Sequence, residues 1–148
     1  MIPEPISAKD DQKSKSRFQT IRSGESQGIG GDEYYGYKPD LYEEVKLSFE
    51  RFGLPVHGER IILHKGLFED TWPSAGVSRI AFAHIDCDWY APVRFCLEAC
   101  ADKMSSGGLI VLDDYHDYSG ARTAVNEFRA KRADFAFEPG RNPILRKL

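Results

Sequence analysis

Two stretches decide the fold: IAFAHIDCD at residues 80–88 and GGLIVLDD at residues 107–114. Each is a short, nearly unbroken apolar run that ends in acidic residues. A short run apolar almost throughout reads as a buried strand of a sheet covered on both faces. Between the two, Pro92 starts a helix with Val93, Cys96, Leu97, Cys100 and Met104 as its inward stripe, ended by Gly107 and Gly108. Strand, helix and strand in that order make a parallel β-α-β unit.

The same alternation continues outward. A helix after Ser119 shows Ala121, Ala124, Val125 and Phe128 on one face. Residues 133–137 and 144–148 form a closing pair of strands around the turn at Pro139 and Gly140. Upstream, Pro39 suits a first helical position, Leu41, Val45, Phe49 and Phe52 recur on one face, and Gly53 with Pro55 ends that helix. Residues 60–64 (RIILH) read as a further buried strand, which ends at Lys65 and Gly66. The fold class is α/β.

Residues 1–36 differ from the rest. They are rich in Lys, Asp, Ser and Gly, poor in aliphatics and without usable periodicity, so they read as a flexible polar segment rather than a packed element. Beside an active edge such a segment is a candidate lid. Gly28, Ile29, Gly30 and Gly31 resemble a phosphate-cradling loop only superficially, because no strand precedes them and no helix follows at once. Residues 37–148 form the α/β domain.

Bulk properties exclude several classes of function. A formal net charge of −3 gives no reason to expect nucleic acid as a partner. No apolar run approaches the roughly 18 residues of a membrane span, and the first residues lack the apolar stretch of a signal peptide. Cys87, Cys96 and Cys100 match no disulfide framework, and a reducing cytoplasm suits them.

Ligands of parallel sheets bind at the carboxyl edge, where strand ends gather. Asp86 follows the first strand directly, and Asp113 and Asp114 follow the second. If the strands are neighbours, about 4.8 Å apart, these carboxylates converge. Carboxylates crowded together repel one another unless a cation neutralises them, and oxygen ligands favour Mg²⁺, with Mn²⁺ or Ca²⁺ as alternatives. Helix N-capping is the bland explanation, and it covers Asp88 or Asp117 singly. It does not cover both acidic pairs at matching strand ends.

The neighbouring residues leave alternatives open. His84 reads as an interior histidine with a satisfied hydrogen bond. His116 is either a loop residue or a group near the metal or substrate. Cys96 and Cys100 read as small core residues, and Cys87 has no evident activating base. Phe68 either covers a flat ligand ring or packs in the core. Trp89 and Tyr90 either wall a substrate site or pack structurally.

HIDCDWYAPVRFCLE followed by GGLIVLDDYHDYSGARTAVNEF resembles the macrocin O-methyltransferase family, and HKGLFEDTWP is similar to its upstream segment. The resemblance covers about residues 37–148. It implies a Rossmann-like methyltransferase fold with a mostly parallel sheet, S-adenosylmethionine and Mg²⁺ as cofactors, and a small-molecule hydroxyl, on a sugar or natural product, as acceptor. Carried over by residue, Asp86, Asp113 and Asp114 become metal ligands and Asp88 the general base. Gly66, Leu67 and Phe68 would lie against the adenine.

The opening residues, Met1 to Pro5, resemble the family just beyond its second strand, so the first two strands and the Gly-rich cofactor loop are expected to be missing. In the family these strands lie between 60–64 and 80–85. Without them either the strands at 60–64 and 80–85 pair directly or an unpaired edge is left exposed, which favours association into a homo-oligomer. Two other functions compete with methyl transfer: a non-catalytic remnant that serves as an oligomerisation or interaction module, and a metal-dependent hydrolase using the same acids.

Overall fold

The structure, a computed structural model, describes residues 4–5 and 7–148. Its centre is the pair of strands expected from sequence. β1 (Ile80–Ile85) and β2 (Met104–Leu112) run parallel, with Phe82 opposite Leu109, His84 opposite Val111 and Ile85 opposite Leu112. Parallel neighbours end on the same side, and the Asp113 N–H donates to the Ile85 carbonyl at 3.1 Å as the strands finish. Asp86 and Asp113 therefore leave the sheet together.

β3 (Phe135–Glu138) and β4 (Ile144–Lys147) form the expected closing hairpin. β4 lies against β2, which gives the order β1-β2-β4-β3. The sheet is mixed, with β1 and β2 parallel and the remaining two pairings antiparallel. A short turn at residues 139–143 can only return the chain antiparallel, whereas the parallel pair needs the long helical crossover.

That crossover is α4 (Tyr90–Ala101), and α5 (Ser119–Lys131) packs beside it. Val93, Leu97, Cys100 and Ala101 from α4 meet Ala121, Ala124, Val125 and Phe128 from α5 over Ile85, Ile110, Leu112, Phe135 and Leu145 of the sheet. Residues spaced by three and four on each helix thus close on alternate residues of the strands. Leu97, Ile110 and Leu145 are wholly buried.

Several boundaries differ from the sequence reading. α4 begins two residues before Pro92, which falls inside its first turn, where proline's missing N–H costs nothing. Met104 belongs to β2 rather than to the helix, and Gly107 and Gly108 lie within β2 instead of ending α4. The register slips between Ile80 and Phe82. Gly107 has φ +76°, and a Cβ on Gly108 would lie 2.8 Å from the Ser105 carbonyl oxygen. The glycine pair is a bulge rather than a helix stop.

Upstream, α2 (Leu41–Arg51) is capped by Asp40, so Pro39 lies just outside it. None of its residues is buried, and Phe52 behind it is 81% exposed. Residues 60–64 do not form a strand. A strand needs a neighbour's backbone to hydrogen-bond, and among the described residues no strand lies on the outer side of β1. The far face of the sheet is accordingly open, with Phe82 62% exposed, where apolar strands had suggested cover on both faces. α3 (Phe68–Thr71) is a single turn packed against α4.

The segment before residue 36 contains a packed element, contrary to its composition. α1 (Gln12–Arg22) is capped by Asp11 and buries Ser14, Phe18 and Ile21. Its apolar face is only two side chains wide, too little to register as periodicity among so many polar residues. Residues 29–31 form a short 3-10 turn exposed to solvent, inside a loop closed by a bridge between Gln27 and Glu33, not a phosphate cradle.

Candidate metal centre

β1 delivers Asp86 and, two residues on, Asp88; β2 delivers Asp113 and Asp114. One carboxylate oxygen from each of Asp86, Asp113 and Asp114 falls within 4.8 Å of the others. The three predicted ligands are therefore brought together, as parallel register requires. Asp113 accepts a hydrogen bond from the Asn142 side chain, contributed by the β3–β4 turn. Asp114 carries the turn into α5, its carbonyl accepting from the N–H groups of Asp117 and Tyr118 at 3.2 Å each.

The charges are poorly balanced. Asp114 is pushed up to about 7, by burial first and then by repulsion from Asp88, Asp86 and Asp113. Asp88 is also raised, chiefly by burial, with Asp86 adding repulsion while a hydrogen bond to Asp114 and the charge of Arg17 oppose it. Asp114 is thus the proton-holding partner of the pair. Its Oδ2 is buried and meets no N–H or hydroxyl donor among the described residues. Three convergent carboxylates, one with an orphaned buried oxygen, fit a hard divalent cation such as Mg²⁺.

Arg17 and Tyr34 of the N-terminal segment, and Tyr118 just before α5, interact electrostatically with Asp88. Arg17 of α1 stacks over the buried Tyr34 ring with its guanidinium 5.3 Å from the centroid, and donates to Ser26 Oγ at 2.8 Å. Tyr34 and Tyr118 are both raised above the usual phenol range, first by burial, with the Asp88 charge adding to it; Tyr118 reaches about 12. Sequence reasoning missed Arg17, Tyr34 and Tyr118. The local signal for α1 is Asp11 as a cap before Ser14, since Phe18 and Ile21 alone are too few to mark a stripe.

His84 is not an interior histidine. Its side chain is 45% exposed on the open face of β1, with Nε2 3.7 Å from Asp113 Oδ1. Alternation along the strand puts Ile85 inward and His84 outward. His116 Nε2 lies 3.0 Å from the Gly140 carbonyl oxygen, and its ring stands edge-on to Tyr115, which ties two loops together. Trp89 and Tyr90 are buried, and Tyr90 Oη donates to Glu127, so both pack structurally. Cys87 hydrogen-bonds with Cys96, and that contact together with burial raises its pKa, which keeps it an inert thiol.

Gly66, Leu67 and Phe68 precede and open α3. Leu67 and Phe68 are each 46% exposed, so neither is a core residue. Gly66 takes φ +151°, and a Cβ there would meet the Thr71 methyl group at 2.9 Å. Among the described residues, no hydrogen bond or ion pair joins this turn to the acids.

A family model described as Macrocin-O-methyltransferase (TylF) matches residues 40–134, well over half of the chain. The chain is 35% identical over 89 residues to the 8-demethyl-8-(2,3-dimethoxy-alpha-L-rhamnosyl)-tetracenomycin-C 4'-O-methyltransferase of Streptomyces olivaceus. That match covers 60% of this chain and 33% of the relative. It is 34% identical over 89 residues to the demethyldecarbamoylnovobiocin O-methyltransferase of Streptomyces niveus, again covering 60% of this chain and 33% of the relative. The chain thus spans about a third of the length of the curated relatives it matches.

Among solved structures, the O-methyltransferase NovP superposes with a TM-score of 0.72 at 23% identity, covering 99% of this chain and 55% of NovP. CalS11, a TDP-rhamnose 3'-O-methyltransferase, gives a TM-score of 0.51 at 25% identity, covering 86% of this chain and 56% of CalS11. The first shows the fold. The residues matched by the family model hold both aspartate-ended strands, the helix between them and all of α5, which are the parts that build the acidic edge. On this match, the chain belongs to the macrocin O-methyltransferase family.

Proposed function

We propose that the chain carries the catalytic edge of an S-adenosylmethionine- and Mg²⁺-dependent O-methyltransferase acting on a hydroxyl of a sugar or natural product. The observation that supports this most is the convergence of one carboxylate oxygen from each of Asp86, Asp113 and Asp114, with a buried Asp114 oxygen that meets no N–H or hydroxyl donor among the described residues. These three residues would hold the Mg²⁺. When bound there, the ion supplies positive charge that lowers the pKa of an acceptor hydroxyl.

Asp88 is the proton acceptor in this reading. It is half-buried beside the ligand set, and burial with neighbouring negative charge raises its basicity above that of an ordinary carboxylate. With its proton held by Asp88, the acceptor oxygen would be free to take the methyl group that a bound sulfonium donor supplies, the donor leaving as a neutral thioether. Gly66, Leu67 and Phe68 supply an exposed turn and an exposed ring for the adenine. The segment before residue 36, with Arg17 and Tyr34 near Asp88, acts as the lid that excludes water.

The outer edge of β1, which no strand among the described residues pairs, supports self-association. The three free cysteines suit the cytoplasm. The experiment is calorimetric titration of the chain with S-adenosylmethionine and Mg²⁺ together, followed by an assay of methyl transfer to sugar hydroxyls. Asp88→Asn is expected to keep metal binding and lose transfer. No heat on addition of both ligands, or full transfer by Asp88→Asn, would refute the proposal.

A further inference from the structure

α4 and α5 begin at the acidic edge, and neither has a cap of its own. Their N-cap positions are Trp89 and Tyr118, which offer no capping oxygen, although every helix start leaves backbone N–H groups without partners. The missing acceptors come from the N-terminal segment. Asp10 Oδ1 accepts from the Tyr90 N–H at 2.8 Å, in the first turn of α4. Asp11 Oδ2 accepts from the Ser119 N–H at 3.2 Å, in the first turn of α5, while its Oδ1 caps α1 through Ser14.

The fit around Asp10 is close. The residue is 3% exposed, and its Oδ2 is buried without a hydrogen-bond partner among the described residues. Gly120 leaves room for it, since a Cβ there would lie 2.0 Å from Asp10 Oδ1. A carboxylate buried with one oxygen unsatisfied is costly, and the partial positive charge of two helix starts offsets part of that cost. The chain on either side is fastened as well: Lys9 donates to Tyr90 Oη at 3.0 Å, and Lys13 donates to the Asp117 carbonyl at 2.7 Å.

The consequence lies in where these helices start. Tyr90 is two residues beyond Asp88, and Ser119 is five beyond Asp114. One strap, residues 9–13, therefore ties together the two turns that carry the acids. We propose that Asp10, seated against Gly120 between the starts of α4 and α5, is a positioning residue that fixes the spacing of the Asp86–Asp88 turn relative to the Asp113–Asp114 turn. This rests on the metal-site reading above, because spacing matters only if the two turns share a ligand.

The test is Mn²⁺ titration by calorimetry on the full chain, together with thermal melting in EDTA. Wild type is expected to bind one ion. Asp10→Ala is expected to weaken binding about tenfold, the effect usual for residues that orient ligands. Asp10→Asn keeps the acceptor oxygen for the Tyr90 N–H and is expected to bind within about threefold of wild type, since half a decade is small beside the orienting effect. Gly120→Ala, whose methyl group displaces Asp10, should match Asp10→Ala. The double variant should be no weaker than either single one, because both remove the same contact.

A lowered melting temperature with unchanged Mn²⁺ affinity in Asp10→Ala would make the strap merely structural and overturn the proposal. So would additive losses in the double variant. Should Asp10→Ala not fold, Gly120→Ala alone decides by the same affinity criterion. Failure of wild type to bind Mn²⁺ overturns the metal reading itself, and the proposal with it, and is read separately from an unaffected variant.

Discussion

Replacing Asp114 with Asn should stabilise the metal-free chain, and the size of the effect follows from the crowded carboxylates. With burial and three acidic neighbours, Asp114 holds its proton up to about 7 instead of 3.8. Full ionisation in the folded state then costs about 4 kcal/mol, at about 1.4 kcal/mol per decade of acidity. Asp88 shares that cost through the same proton, and solvent at the open edge screens part of it. About 2 kcal/mol is therefore expected for Asp114 alone.

The sign follows from linkage. The folded value lies above the unfolded one, so below pH 3.8 both states are protonated and the penalty is absent. It grows as pH rises between the two values and is complete above about 7. Asn carries no charge, and its amide can donate toward Asp88. Thermal melting in EDTA should therefore show Asp114→Asn melting above wild type at pH 8, by about 4–8 °C for a chain of this size. The two should converge at pH 4. A variant that melts below wild type at pH 8, or one with the same margin at both pH values, would refute the reasoning.

Three further outcomes are expected. Leu97→Ala, at a wholly buried position between α4 and the sheet, should cost about 3 kcal/mol in urea unfolding with no effect on the acids. Asp11→Ala removes the cap of α1 and the acceptor for Ser119, and should cost about 1–2 kcal/mol. Because the Ser14 N–H bond chiefly holds Asp11 down to about 2, that contribution is present at neutral pH and is lost as pH falls through about 2. Phe68→Ala, at an exposed ring, should weaken S-adenosylmethionine binding at least fivefold and leave Mn²⁺ affinity unchanged; equal cofactor affinity would remove Phe68 from the proposed seat.

The parts of the fold that could be read from sequence are those stabilised by their own neighbours. IAFAHI and LIVL are adjacent parallel strands whose register depends on apolar side chains present in both, and the acids follow from that register. The stripe Ala121, Ala124, Val125 and Phe128 was equally legible because every member is buried. Residues 60–64 carry strand-like side chains, but pairing is a property of the neighbour, which no local pattern reports. The glycine pair 107–108 looks like a helix stop in sequence because a bulge inside a strand depends on register, not on residue type. α1 was hidden for a different reason. Its start serves a polar purpose in the fold, with Asp10 and Asp11 just before it and Lys13 in its first turn bonding at helix starts more than 75 positions away in sequence, and capping across that distance leaves no periodicity.

The central claim is that Asp86, Asp113 and Asp114 form one cation site, and direct titration with Mn²⁺ addresses it most simply. The wild-type chain should bind one ion, and Asp86→Ala, Asp113→Ala and Asp114→Ala should each abolish binding. Asp117→Ala, which removes a nearby acid that pairs with Lys13 instead, should leave it intact. Absence of binding by the wild-type chain, or binding undiminished in the three ligand variants, would contradict the account.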